Sequence, residues 1–394
     1  MMKNYKGIKI EIKPTIEQIE KINKTIGTGR FLYNFYIAYN KEIYEKEKRF
    51  VTGFEFSKYI NNVFVKENPD KSWIKDVSSK SNKQAIMNSE KAFKRFFKKI
   101  SGFPKFKKKS HNNQKCYFFK NNKTDFEFYR HKIKIPTLKF VRLKEYGYIP
   151  KNANIKSATI SKEGDRYFLS LILEIKKEIE KNSIQKNLQT KEGIGIDLGI
   201  KDFAICSDGQ VFKNINKTFK VRKIEKKLKK EQRKKSRKYL SCKKMGKNLY
   251  ECKNFQKQKL VIAKLFFKLN CIRNDYINKV VNMLTKTKLK YITIEDLKVS
   301  NMIKNRHLSK AISQQKFYEF RTKLLNKCKE KNIELRIVST FYPSSKLCSN
   351  CGHKKQDLKL KDRIYKCCDC GLEIDRDYNA SLNLRNSTQY TILT

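Results

Sequence analysis

Two Cys-x-x-Cys pairs stand close together late in the chain, Cys348/Cys351 and Cys367/Cys370, with fifteen residues between them. Four thiolates at this spacing suit a tetrahedral Zn2+. A shell closed by four sulfurs leaves no open position, so the role it predicts is structural. Cys368 and His353 are rival ligands, and the two-residue spacing favours Cys367 with Cys370. Gly352 and Gly371 each follow a pair and suit its tight turn. Just past the second pair come two carboxylates, Asp375 and Asp377, where a short helix is predicted to begin. Upstream, Asp197 closes the apolar run GIGID, and Glu295 closes KYITIE with Asp296 beside it. Alternation along a strand puts only one of Glu295 and Asp296 on the inward face, and Glu295 follows the apolar run directly. Acids gathered from three distant segments are the donor set that two Mg2+ ions need to hold a phosphodiester. The ions take hard oxygen ligands and sit ~3.5–4 Å apart. The four histidines are scattered and make no general-base set.

The elements that must carry these acids can be read on either side of them. Residues 191–214, KEGIGIDLGIKDFAICSDGQVFKN, read as three short strands in a tight meander, with Gly195 and Gly199 leaving room beside Asp197. RNase H-like nuclease folds begin with such an aspartate-bearing strand. Lys220 to Lys259 is the most basic stretch, with acids only at Glu225, Glu231 and Glu251. Phosphate contact is expected along it, including Arg233, Lys234 and Lys235. It runs into a long amphipathic helix whose apolar residues step by three and four: Ile262, Leu265, Phe266, Leu269, Ile272, Tyr276, Ile277, Val280, Leu284. Strands are predicted over 290–297 and 334–340. A helix over 315–331 between them uses Phe317, Phe320, Leu324 and Cys328.

The first half has a different texture. Residues 5–12 alternate as a strand does. A helix starts at Pro14 and Thr15, GTGR at 27–30 is predicted to break it, and a second helix follows from Phe31 to Arg49. The aromatic face of the second helix (Phe31, Tyr33, Phe35, Tyr36, Tyr39, Tyr44) is read as core. A loop surrounds Pro69 and Trp73. The next helix, from Ser79 to Ile100, has Ile86, Phe93, Phe97 and Ile100 as its apolar stripe and Lys83, Gln84 and Asn88 on other faces. Amides of that kind can read base edges. SGFPKFKKKS then interleaves Lys105 and Lys107 with phenylalanines. From 111 to about 178 the pattern is strand-like, with a hairpin turning at Glu163-Gly164-Asp165. The N-terminal strand is expected to complete this small β-barrel or sheet. A polar linker follows at 181–191.

The chain has 394 residues, room for two or three domains, and 92 Lys and Arg against 38 Asp and Glu, a net +54. Such self-repulsion implies a polyanionic partner, and nucleic acid is the usual one. The clustered cysteines point to a metal site in a reducing compartment. The six others (Cys116, Cys206, Cys242, Cys252, Cys271, Cys328) have no such spacing and are read as buried thiols. The N-terminus has no apolar signal core and no stretch approaches the ~20 apolar residues of a membrane span, so an intracellular soluble protein with no membrane partner is expected.

Several blocks together go further. GIDLGIKDFAICSDG, ITIEDLKVSNM, FYPSSKLCSNCG and YKCCDCGLEIDRDYNASLNL resemble the signature blocks of the TnpB proteins of bacterial insertion sequences, from which miniature type V CRISPR effectors derive. GRFLYNFYIAYNKE and GFPKFKKKS resemble that family too, and the blocks span essentially the whole chain in order. The resemblance implies an RNA-guided DNA endonuclease. Its partners would be a guide RNA encoded at the transposon end and double-stranded target DNA beside a short adjacent motif. One RuvC-like site would cut both strands. It implies Asp197, Glu295 and Asp377 as catalytic acids on two Mg2+ ions, with Asp377 chosen over Asp375 by the D-x-N-A-[AS] block. Ser381 stands where many relatives have Ala.

The implied layout is an α/β multidomain fold. Residues 1–13 and 111–180 form a wedge β-barrel, with a helical recognition domain at 14–110 inserted in it. A RuvC-like nuclease domain takes 192–340 and 371–386, a structural zinc ribbon 341–370, and a tail 387–394. The helix around Lys83, Gln84 and Asn88 is the candidate reader of the adjacent motif. A cytoplasmic protein, nucleoid-associated when on DNA, is expected, with a monomer favoured. A miniature CRISPR effector and a nuclease-dead RNA-guided repressor of the same ancestry are the alternatives. The complete acid trio argues against the second.

Overall fold

The computed structural model describes residues 4–109, 115–119, 125–175, 192–287, 289–359 and 362–393. The chain divides into two units, 1–181 and 182–394. The linker expected at 181–191 lies outside the described residues.

In the first unit, β1 (Asn4–Lys13) pairs along most of its length with β6 (Arg166–Ile175), from Asn4↔Ile175 to Ile12↔Tyr167. Its alternation puts Ile10 and Ile12 in the core. With β2 (Lys115–Phe119), β3 (Lys132–Ile135), β4 (Lys139–Leu143) and β5 (Asn154–Glu163) the strand order is β2-β5-β6-β1-β4-β3. The N-terminal strand is therefore a central one. The order is open among the described residues, so no described ladder closes a barrel. The β5–β6 hairpin turns at Gly164 and Asp165, with Gly164 at φ +66°. Residues 125–131, also read as strand-like, carry only an isolated bridge, Phe128↔Ile133.

The helical part corrects one expectation. GTGR does not break a helix: α1 runs unbroken from Ile16 to Glu47, opened by a Thr15/Gln18 capping box. Two glycines weaken a helix by about 1 kcal/mol each, but tertiary packing offsets that here. α1 packs against α4 (Ser79–Phe97), and at Gly29 the closest approach is to the Ala85 Cβ. The Thr25 and Thr28 hydroxyls donate back to the Lys21 and Lys24 carbonyls within the same helix. Between them lie α2 (Gly53–Tyr59), one π turn, α3 (Val65–Glu67) and a 3-10 stretch at Pro69–Asp76 where a loop was expected.

The aromatic face of α1 does build a core. Tyr33 and Tyr36 are buried with Phe56 and Phe93, while Phe31, Phe35 and Tyr39 pack against them. Tyr44, beyond this cluster, is exposed. α4 stops short of the predicted end. Lys99 turns left-handed (φ 56°), so Phe97 and Ile100 are exposed and do not continue the stripe.

The second unit is built on a sheet of order β14-β11-β10-β7-β8-β9. The meander β7 (Ile194–Leu198), β8 (Asp202–Cys206) and β9 (Val211–Lys213) is antiparallel. β10 (Tyr291–Glu295) and β11 (Glu334–Val338) join parallel to β7. The segment read as a tail supplies β14 (Thr391–Leu393), antiparallel to β11.

The basic stretch and the amphipathic helix after it form a hairpin, α5 (Phe219–Lys244) and α6 (Lys253–Leu284). Val221 and Leu228 of α5 meet Ile262 and Leu269 of α6, and Ile277, Val280 and Leu284 continue onto the sheet. Phe266, read as part of that stripe, is exposed. After β10 come α7 (Val299–Met302), α8 (Ser309–Gln315) and α9 (Phe317–Lys331). Phe317, Phe320, Leu324 and Cys328 of α9 are buried against the sheet as predicted. The ribbon hairpin β12 (Ile364–Lys366) and β13 (Glu373–Asp375) leads into α10 (Arg376–Asn386). No helix among the described residues is long and apolar enough to cross a membrane.

Candidate metal centres of the second unit

Parallel pairing sets the first two acids side by side. Ile294 is in register with Ile196, so the next residues on the two strands are Glu295 and Asp197. The third acid comes from α10, which lies along β7. That approach is possible because residue 195 is glycine: a Cβ there would stand 2.1 Å from the Ser381 carbonyl oxygen and 2.4 Å from the Arg385 nitrogen. The sequence reading assigned this glycine to the aspartate; its room is taken by helix backbone. Asp375 caps α10, accepting from the amides of Asp377 and Tyr378 at 3.0 Å each. Its carboxylate is thus used by the turn, and Asp377 stands free of that duty in the first helical turn.

The electrostatics of the trio point to a cation. Asp197 is pushed up to about 8, first by burial and then by the charges of Glu295 and Asp377; Arg376 opposes the shift. Glu295 is raised by burial, against a hydrogen bond from Ser344 that lowers it. Arg376 donates to Asp377 Oδ1 from Nη2 at 3.2 Å, and the Arg363 guanidinium lies 3.9 Å from Oδ2. Three half-buried carboxylates within reach of solvent are the hard oxygen donors that a divalent cation takes. Asp296 does not join them: it pairs with Arg321.

Three residues that sequence reasoning passed over complete the frame. Ser344 is buried and donates to Glu295 Oε1. Asn383 donates to the carbonyls of Ser344 and Leu347, both at 2.7 Å. Asn379 donates to Leu347 O at 2.6 Å and accepts from the Ser349 amide at 2.9 Å. The signal was available: asparagines four apart on one face of a helix, both in the block that carries Asp377.

The second centre is the cysteine cluster. Cys348, Cys351, Cys367 and Cys370 have Sγ atoms all within 4.8 Å of one another, with pairs at 3.6 Å and 3.5 Å. Tetrahedral sites with ~2.3 Å metal–sulfur bonds have edges of about 3.8 Å. Gly352 and Gly371 have φ of +79° and +71°, the turn the two knuckles need. The Leu372 amide and the Asn350 side chain hold the Cys370 thiol down to about 6. His353 and Cys368 form a separate group, Nε2 to Sγ 3.2 Å and Nδ1 to Asp369 2.8 Å, so neither has to serve as a fourth ligand. Of the other cysteines, Cys116, Cys206 and Cys328 are buried as expected, but Cys242 and Cys252 are half-buried and Cys271 is exposed. They lie on or beside α5 and α6, whose faces away from the hairpin seam meet solvent.

The nucleic-acid candidates fall in both units. Lys83 is exposed and lies over the Phe54 ring. Gln84 donates to Asn88 at 2.7 Å, so each amide already has a partner. Lys105 is exposed, whereas Lys107 sits over the Tyr33 ring at 3.6 Å and has its ammonium pushed down by burial. Arg233 is exposed on α5; Lys234 pairs with Glu231 at 3.1 Å and Lys235 is half-buried.

Known proteins fit this architecture along its whole length. Three family models match successive stretches: a "Helix-turn-helix domain" over 1–49, a "Probable transposase" over 173–306 and a "Cas12f1-like, TNB domain" over 317–384. A provisionally named RNA-guided DNA endonuclease, InsQ of Escherichia coli (strain K12), is 28% identical over 97% of this chain and 92% of its own. A provisionally named RNA-guided DNA endonuclease of Streptomyces pristinaespiralis is 28% identical over 98% of this chain and 90% of its own. The protein in a cryo-EM structure of a Cas12f1–sgRNA–target DNA complex superposes with a TM-score of 0.58 at 15% identity. The match covers 98% of this chain and 99% of that one. The fold is therefore Cas12f1-like, mixed α/β with a four-cysteine cluster. The chain belongs to the TnpB family.

Proposed function

We propose that this protein is an insertion-sequence-encoded, RNA-guided DNA endonuclease that hydrolyses phosphodiesters at Asp197, Glu295 and Asp377. The observation that carries the reading is the convergence of these three acids from β7, β10 and the first turn of α10. Their donor set suits two Mg2+ ions, which when bound would supply Lewis acidity on both sides of a scissile phosphate. The chain's own residues do the positioning. β7 and β10 fix Asp197 and Glu295 in adjacent register, Ser344 holds the Glu295 carboxylate, and the capped start of α10 presents Asp377. The names of the two full-length relatives support guide RNA and target DNA as partners, and the net +54 supports long phosphate contacts. Target sequence would be read by base pairing, leaving the protein to read a short duplex motif. The six-stranded sheet of the first unit would serve as the wedge, the α1–α4 helices as the recognition part and the second unit as a RuvC-like domain. Zn2+ on the four cysteines would fix the ribbon.

The test is to purify the protein with its co-expressed RNA, sequence that RNA, and offer matched duplex DNA with Mg2+. Matched duplex should be cut and mismatched duplex left whole. Asp377→Ala should bind the matched duplex and leave it uncut. An RNA-free preparation that cuts just as well, or an active Asp377→Ala protein, defeats the reading.

A further inference from the structure

Beside the acid trio the second unit has an unassigned cleft of about 330 Å3. Leu198, Ile294, Leu297 and Phe317 line it, and Glu295 alone of the acid trio is among its lining residues, so the cleft meets the candidate metal centre at that residue. Two cations and a second carboxylate, Asp296, also belong to the lining. Lys298 lines it and lies 5.4 Å from the Phe341 ring centroid, and Arg321 is already neutralised by Asp296. Two aromatic side chains stand out into solvent here, Tyr318 in the cleft wall at 74% exposure and Phe341 at 86%. A largely apolar lining that carries two carboxylates, Glu295 and Asp296, disfavours an anion bound within it. Lys298 and the exposed Tyr318 ring are equally ill suited to a purely apolar ligand. A nucleobase meets both conditions, having flat apolar faces that can stack and a tether to a phosphate that stays outside.

We propose that this cleft receives the base of the nucleotide next to the scissile phosphate, with Tyr318 stacking on it and Lys298 meeting its phosphate. This rests on the nuclease reading above and adds a positioning role. Because Glu295 belongs to both, a phosphate held at Asp197, Glu295 and Asp377 would put its neighbouring base beside the cleft. Seating that base would fix which bond faces the acids. Tyr318 is thus a positioning residue, acting through the bound strand.

The experiment uses the guide-loaded protein with Mg2+ and matched duplexes, each carrying one abasic nucleotide at a position around the cut, in one strand or the other. One position should slow cleavage roughly tenfold, the loss expected from one base–aromatic stack. Tyr318→Ala should slow cleavage of the intact duplex by a similar factor, and the abasic site should then add nothing further. Tyr318→Phe should cut at the wild-type rate. The strand that holds the sensitive position identifies which strand the cleft takes. Zinc content and melting temperature report whether the variants are folded, and the abasic series on the wild-type protein stands without them. Cutting that is indifferent to every abasic position, or effects of Tyr318→Ala and the abasic site that multiply, would overturn this inference alone. A wild-type protein that leaves the intact duplex uncut would overturn the nuclease reading and this one with it.

Discussion

Asp197 has an ordinary carboxylate value of 3.8 and stands at about 8 in the fold. Between those values the folded protein holds a proton that the unfolded chain has released. The metal-free protein should therefore lose stability as pH rises through this window, and lose no more from this group above it. Asp197→Asn removes the dependence, so in Mg2+-free buffer the variant should gain melting temperature over wild type at pH 9 but not at pH 4. Parallel melting curves for the two proteins would count against the shift. The same proton must leave when a cation binds, so Mg2+ affinity should rise with pH up to about 8. Titration calorimetry in two buffers of different ionisation enthalpy would register the release.

At the scale of elements, α10 is the keystone of the site. It carries Asp377, is capped by Asp375, crosses β7 at Gly195, and clamps the approach to the ribbon through Asn379 and Asn383. Gly195→Ala drives a methyl into backbone atoms that have no rotamer to escape to. It should lower stability by about 3 kcal/mol, at the upper end of overpacking, and remove cleavage with it. Denaturant unfolding would register this. A variant within about 0.5 kcal/mol of wild type, the range of a neutral surface change, would rule out the close approach. The ribbon is a separate element with its own small core around the buried Tyr365. Cys367→Ser should lose bound zinc and lower the melting temperature, because metal binding there is coupled to folding. His353→Ala should keep the zinc. Metal analysis of the two variants separates the four-cysteine set from one completed by His353.

On the scale of the whole molecule the dominant fact is charge. The 92 Lys and Arg cannot be balanced internally by 38 acids, which leaves a net +54. Affinity for the guide RNA should fall steeply with salt, on the order of a thousandfold between about 50 and about 200 mM, as counterion release requires. Fluorescence anisotropy with labelled RNA gives the slope; a slope near zero would mean that the cations are not at phosphates. The relatives agree with this scale of reading, since the match to both full-length proteins runs across nearly the whole chain.

The sequence by itself determined what depends on residue type and local spacing. The knuckle cysteines and their glycines, the acids at strand ends, the α9 stripe and the β5–β6 turn were all legible, because each is set within a few neighbouring residues. The choice of Glu295 over Asp296 was legible as well, since alternation is local. Tertiary structure decided the rest. GTGR reads as a break, yet packing against Ala85 keeps the helix whole. The basic run carries no element assignment of its own in the sequence, yet Val221 and Leu228 find Ile262 and Leu269 and make it one arm of a helical hairpin. The last residues read as a tail, yet β11 offers them an edge to pair with. The reason for Gly195, the hold of Ser344 on Glu295, and the shift at Asp197 all come from groups far apart in the chain. No local pattern encodes a clash or a repulsion that exists only once β7, β10 and α10 have met.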